Sequence, residues 1–171
     1  MPESPAVADP TAAIAPIVVD VVVPCPPDRA FDYFTRDIGR WWPLATHSLG
    51  EANAVDVRFE PRVGGRLVET SRDGGEHVWG EVTAWQPGRL VAFSWHLSRD
   101  PSTAQCVDVR FTPAPEGTRV TLTHGGWERL PQDGATMREG YASGWKTVFV
   151  ERFGAYCVSA GAQFAPGHRP R

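Results

Sequence analysis

Between residues 54 and 127 apolar and polar side chains alternate with a period of two, the spacing of strands that turn one face to a core and the other to water. Turn-forming residues interrupt the alternation at 61–65, 73–75, 87–88, 98–102 and 113–117. Six strands follow, over 54–60, 65–71, 76–86, 89–97, 104–112 and 118–126, and the short connections predict a meander in which each pairs with the next. Val55, Val57 and Phe59 share the inward side with Val91, Phe93 and Trp95. Val107, Val109, Phe111, Val120, Leu122 and His124 continue it, while Asp56, Arg58, Asp108, Arg110, Arg119 and Thr121 alternate toward water. In the strand 76–86, Trp79, Glu81 and Trp85 oppose Val78, Gly80 and Val82, so alternation alone assigns it no face.

The flanking segments have other periods. The β-branched run 17–23 (IVVDVVV), closed by Pro24, predicts a first strand. In CPPDRAFDYFTRDIGRWWP, Pro27 suits a first helical turn and Asp28 complements the helix dipole. Phe31, Phe34, Ile38 and Trp41 then form a stripe, so one or two short helices end at 39–43 and a loop occupies 44–53. Thr136 and Glu139 carry the spacing of a capping box, which predicts a helix from 136 to about 159, roughly 34 Å long at 1.5 Å per residue. Tyr141, Trp145, Val148, Phe149, Phe153 and Tyr156 make its apolar face, and Gly161 is its expected stop. Residues 1–16 and 161–171, rich in Gly, Pro or Ala and without period, read as flexible tails around one domain at 17–160. The order predicts an α+β domain in which only the sheet's apolar face is large enough to receive the long helix, and a curved sheet over a helix leaves a cavity.

Composition narrows the partners. A chain of 171 residues that is 42% hydrophobic is too apolar for disorder and has no unbroken apolar run of membrane-spanning length. Its net charge of −3, with positive charges placed singly, predicts no nucleic-acid partner. Arginine far outnumbers lysine, whose sole representative is Lys146, and with abundant Ala, Pro and Gly this composition suits a GC-rich bacterial genome. Cys25, Cys106 and Cys157 are odd in number and far apart, which predicts reduced, mostly buried thiols. The N-terminus lacks the charged start and apolar stretch of a signal peptide, so the expected location is the cytoplasm. The five histidines show no short ligand spacing, and phosphate-binding glycine loops and a G-x-S-x-G elbow are absent from the sequence. Neither a metal nor a cofactor is expected.

Several segments together resemble the START-like (SRPBCC) superfamily with the helix-grip fold, in the branch related to the activator of heat-shock chaperone ATPase. They are VPCPPDRAFDYF after the first strand, FEPRVGG at 59–65, WGEVTAWQPGRL at 79–90, FSW at 93–95, GTRVTLTHGGW at 117–127 and GW at 144–145. The resemblance spans 18–156 and implies a curved antiparallel sheet of about seven strands wrapped around the C-terminal helix. It implies no residue-by-residue catalytic assignment, because one fold in this superfamily serves many functions.

The residues expected to line the cavity are Trp41, Trp42, Glu69, Trp79, Phe93, Trp95, Phe111, His124, Trp127, Tyr141, Trp145 and Phe149. Aromatic rings offer flat faces to a ligand, and ordinary core packing uses the same rings. His124 is suited to a hydrogen bond or proton transfer inside the cavity, or to a bond with a backbone carbonyl; His47 stands in the loop over the cavity mouth. Glu69 and Glu81 would have raised pKa values if buried, but a one-residue slip in register sends either to water, and exposure is the expectation for both. The function expected is binding of a hydrophobic or amphipathic small molecule. The alternatives are an enzyme of cyclase, dehydratase or hydrolase type using His124 or a cavity carboxylate, and a module that stimulates a chaperone ATPase. The apolar strand 17–23, if it lies at a sheet edge, would also support a homodimer.

Overall fold

The computed structural model describes residues 14–130 and 132–162, so most of both expected tails lies outside the described residues. Strand β1 (Ile17–Val23) precedes two short helices, α1 (Pro27–Thr35) and α2 (Ile38–Trp41). The meander follows as β2 (Ala54–Phe59), β3 (Arg66–Ser71), β4 (Glu76–Gln86), β5 (Leu90–Trp95), β6 (Gln105–Ala114) and β7 (Gly117–Gly125). All seven strands form one antiparallel sheet in the order β1-β7-β6-β5-β4-β3-β2. The long-range step is β1 on β7, where Ile17 faces His124 and Val23 faces Thr118. Thr118 Oγ1 donates to the Cys25 carbonyl over 2.7 Å, fastening the end of that pairing.

Two β-bulges resolve the ambiguity of the strand 76–86. The β3–β4 register passes from Leu67–Gly80 to Val68–Val78, leaving Trp79 as the extra residue, and the β4–β5 register passes from Val82–Phe93 to Ala84–Ala92. Each bulge resets the alternation, so Trp79, Gly80 and Val82 are buried while Glu81 is exposed. A third irregularity, between Ala54 and Asp56, reverses the expectation for Val55, which is 52% exposed rather than inward. Glycine is required at position 80, because a Cβ there would collide with the Ser94 carbonyl of the neighbouring strand. At Gly126 the backbone turns left-handed, φ 88°, and swings Trp127 back under the sheet.

The C-terminal helix consists of α3 (Gly134–Trp145), a π-helical segment at Lys146–Phe153 and α4 (Gly154–Ala162). Its first residue, Gly134, lies two before Thr136 with Asp133 as N-cap, and no side chain caps it, so the expected capping box does not form. Gly161 lies inside the helix and does not stop it. Trp145, Phe149, Phe153 and Cys157 are buried at four-residue steps. On an α-helix each such step runs about 40° past a full turn. The wider turn of the π segment takes up that excess and keeps the four side chains on the sheet. Phe149 and Phe153 stack at 5.6 Å with planes 8° apart, and Phe34 on α1 closes on both. Of the cysteines, Cys25 and Cys157 are buried and Cys106 is exposed. No helix among the described residues is long and apolar enough to cross a membrane.

Two glycines make opposite tests of this packing. A Cβ on the exposed Gly140 of α3 meets only open space, so Gly140→Ala is expected to stabilise the fold by about 0.5–1 kcal/mol, read as a melting point raised by roughly 1–4 °C. Gly80→Ala is expected to cost at least about 2 kcal/mol in chemical denaturation.

Candidate functional site

The local sequence explains how the site is built. Trp42 follows α2, and the loop after it folds back because the Trp42 indole donates to the His47 carbonyl over 2.6 Å. Ser48 Oγ donates to the Leu44 carbonyl and accepts from the Glu51 amide, tightening the same loop. Its far end is held by Glu69 of β3, which takes the Leu49 amide on Oε1 and the Gly50 amide on Oε2, both at 2.8 Å. Trp79 Nε1 also donates to Oε1, at 3.0 Å. The Glu69 side chain is therefore fully buried, against the expectation of exposure, and three donors satisfy it.

Beneath this loop lies a cavity of about 190 Å³. The loop side supplies Trp42, Thr46, His47, Ser48 and Leu49; β5 and its continuation supply Trp95 and Leu97; the helix supplies Tyr141, Gly144, Trp145 and Val148. Leu97 and Ser98 both hold left-handed backbone, φ 49° and 59°, fastened by hydrogen bonds from their amides to the Trp79 and Val78 carbonyls. Such angles are costly for residues other than glycine, and here they turn Leu97 into the cavity wall. No Asp, Glu, Lys or Arg lines the cavity, unlike the larger groove of about 450 Å³ bordered by Arg89 and Arg110.

Of the twelve residues expected around a cavity, Trp42, Trp95, Tyr141 and Trp145 line this one. Trp79, His124 and Trp127 stand directly behind them: Trp79 lies 5.0 Å from Trp42 between ring centroids, and His124 lies 6.1 Å from Trp95 and 4.2 Å from Trp127. Glu69 serves the loop. Trp41, Phe93, Phe111 and Phe149 pack elsewhere in the core, against Phe153, Phe59, Phe31 and Phe34 respectively. Thr46, Ser48, Leu49, Leu97, Gly144 and Val148 complete the lining without having been singled out as site residues: Thr46, Ser48 and Leu49 stand in an irregular loop with no period from which a facing can be read, and Val148 was expected on the helix's apolar face without being assigned to the cavity.

The electrostatics follow from burial. His124 has no exposed surface, and its Nδ1 accepts from Trp145 Nε1 at 3.0 Å. An indole nitrogen only donates, so Nδ1 holds a lone pair and the proton of the neutral ring sits on Nε2. Desolvation holds the imidazole pKa down at about 3, so the ring is neutral across the physiological range and supplies no acidic proton. Burial raises the pKa of Tyr141, and the adjacent Trp95 indole offsets part of that rise, so Tyr141 remains a phenol. Among the described residues no three His, Cys, Asp or Glu side chains gather where they could hold a metal ion.

Two outcomes test these assignments. An unfolded chain binds a proton at His124 below about pH 6.5 while the folded chain refuses it until about pH 3, so stability is lost as pH falls through that window. His124→Asn, which keeps an acceptor for Trp145, is expected to flatten the decline by up to about 1.4 kcal/mol per pH unit relative to the parent, measured by denaturation at a series of pH values. Glu69→Gln places an amide NH₂ against a backbone N–H. It is expected to cost about 2 kcal/mol and to speed hydrogen exchange at Leu49 and Gly50 before the rest of the sheet.

The comparisons with known proteins agree with this architecture. The chain matches the family described as Activator of Hsp90 ATPase homolog 1-like protein over residues 24–157. Protein MLL2253 from Mesorhizobium loti superposes with a TM-score of 0.62 at 24% identity, over 85% of this chain and 97% of that one. The AHSA1-like protein from Aeromonas hydrophila gives 0.62 at 18% identity, over 91% and 99%. The anthrahydroquino-γ-pyrone synthase Txn09 gives 0.53 at 31% identity, over 76% and 88%. No curated protein matches the chain. With the family match covering most of the described residues and the seven-stranded sheet gripping one long helix, the chain belongs to the Activator of Hsp90 ATPase homolog 1-like family and has the helix-grip fold.

Proposed function

We propose that this protein binds a small, largely apolar molecule in the cavity between the 42–49 loop, β5 and the long helix. The observation that carries the reading is the lining: a space of about 190 Å³ faced by Trp42, Trp95, Trp145 and Tyr141 and free of charged side chains. Aromatic walls with a few polar groups at one side are the usual make-up of a small-molecule site. The polar groups here come from Thr46, His47, Ser48 and Tyr141. A void of about 150 Å³ in an apolar core admits benzene, so this one suits a compound of one or two rings.

A cyclase-type reaction is the second reading, favoured by the 31% identity with the synthase Txn09. Under it the groups available for proton exchange are the His47 imidazole and the Tyr141 phenol, since His124 stays neutral. Stimulation of a chaperone ATPase has support only in the family's description.

Gly144 provides the test. It lines the cavity, and a Cβ added there meets open space. Gly144→Leu therefore fills the cavity without displacing backbone. Tetralin, an apolar two-ring probe, is expected to raise the melting temperature of the parent protein, and Gly144→Leu is expected to abolish that rise while melting at least as high as the parent without probe. An equal rise in both proteins would refute binding in this cavity.

A further inference from the structure

The C-terminal helix is fastened unevenly. Trp145, Val148, Phe149 and Phe153 anchor its middle in the core, but along 154–161 the only buried side chain is that of Cys157. Tyr156 gives a second, partly buried hold: its hydroxyl donates to Asp37 Oδ2 at 2.8 Å, and its ring meets that of Tyr33 edge-on. Two glycines show where this last stretch lies. A Cβ on Gly154 would stand 3.5 Å from Val21 Cγ2 of β1, and one on Gly161 would stand 3.7 Å from the Pro24 carbonyl oxygen. Cys157 falls between those two points on the same side of the helix, so it faces the end of β1 and the residues just beyond it.

Cys25 stands there. Thr118 Oγ1 donates to its carbonyl at 2.7 Å, and the absence of a Cβ at Gly117 lets β7 press against its backbone. Cys25 is buried, and a side-chain hydrogen bond joins its thiol to that of Cys157, which has no exposed surface. That bond, with the charge of the nearby Arg29 guanidinium, holds the Cys25 thiol below its ordinary pKa against the opposing effect of burial, while the same bond and burial push Cys157 up. The pair is asymmetric: Cys25 supplies the better thiolate and Cys157 the second sulfur beside it. Neither thiol lines the cavity, and the third cysteine, Cys106, is exposed on β6.

We propose that Cys25 and Cys157 form a peroxide-sensitive thiol pair, which closes to an intrachain disulfide and staples the end of the long helix to the junction of β1 and α1. Hydrogen peroxide is little larger than water, and it reaches the pair when α4, held by so few buried side chains, opens locally. The Cys25 thiolate attacks one peroxide oxygen and becomes the sulfenic acid, and the departing hydroxide takes up a proton to leave as water. The Cys157 sulfur then attacks the Cys25 sulfur, gives up its proton and expels the second water. Two thiols lose two hydrogens and two electrons, and one peroxide is reduced to two waters. The bond joins segments from the two ends of the domain, so it narrows the unfolded ensemble and secures the part of the helix with the fewest buried side chains.

The test uses the full chain carrying Cys106→Ser, which removes the exposed thiol and leaves the pair alone. Native protein treated with hydrogen peroxide, then unfolded and alkylated, is expected to show no titratable thiol, a mass loss of about 2 Da before alkylation, and a digest in which the Cys25 and Cys157 peptides are linked. The oxidised protein is expected to melt about 5 °C or more above the reduced one, and dithiothreitol is expected to restore the thiols and the lower melting point together. A gain of oxygen mass without the loss of two hydrogens overturns the pairing, as do two thiols that both survive the oxidant. A disulfide that forms only in urea, or that leaves the melting point unchanged or lower, shows that the folded geometry does not suit the bond and overturns the staple.

Discussion

A seven-stranded antiparallel sheet with one apolar face has to cover that face, and among the described residues a single helix is long enough to do it. Nearly every other feature follows from that constraint. β1 pairs with β7 at the edge of the sheet and adds its buried residues Ile17 and Val23 to the covered face. The helix adopts π-helical turns over Lys146–Phe153 so that Trp145, Phe149, Phe153 and Cys157 stay on the covered side. α1 and α2 fill the open flank, where Phe34 and Trp41 reach Phe153. The apolar area removed from water supplies most of the stabilisation, and the geometry of one rod in a trough decides how completely it is removed.

The cover is incomplete at one place, and the cavity is there. At Gly144 the helix presents no side chain, and the loop above is a short irregular segment. Large rigid rings on the remaining sides, Trp42, Trp95 and Trp145, meet at angles of 42°, 53° and 86° and cannot collapse into the gap as aliphatic side chains would. The loop itself depends on a buried carboxylate. Glu69 tolerates burial because two backbone amides and an indole point at it, so the same contacts that satisfy the charge hold the cavity's roof in place. His124 is treated differently: one nitrogen is satisfied and the other is not, and the ring avoids the cost of a buried cation by staying neutral. One buried polar group thus serves the scaffold fully, while the other retains a free donor within the aromatic cluster.

Much of the architecture was legible from periodicity. The six meander strands, the first strand and the C-terminal helix all appear near their expected positions, because a period of two or of three to four repeats over enough residues to outweigh local noise. Legibility failed where one residue changes the phase. The bulges at Trp79 and between Val82 and Ala84 left β4 without an assignable face, and the irregularity near Ala54 turned Val55 outward. The capping box at Thr136 failed for a related reason: the helix is held by its packed face, and its start moved to Gly134 without any cap from a side chain.

The sequence by itself determined the fold class, the order of the elements and the fact that tryptophan is concentrated where sheet meets helix, since these depend on composition and local spacing. Tertiary structure alone decided which of those tryptophans wall a cavity and which are plain core, and that Glu69 is buried under backbone amides contributed from twenty residues away. Hydrogen-bond satisfaction is settled by atoms from distant segments meeting at specific angles, and no spacing along the chain encodes it.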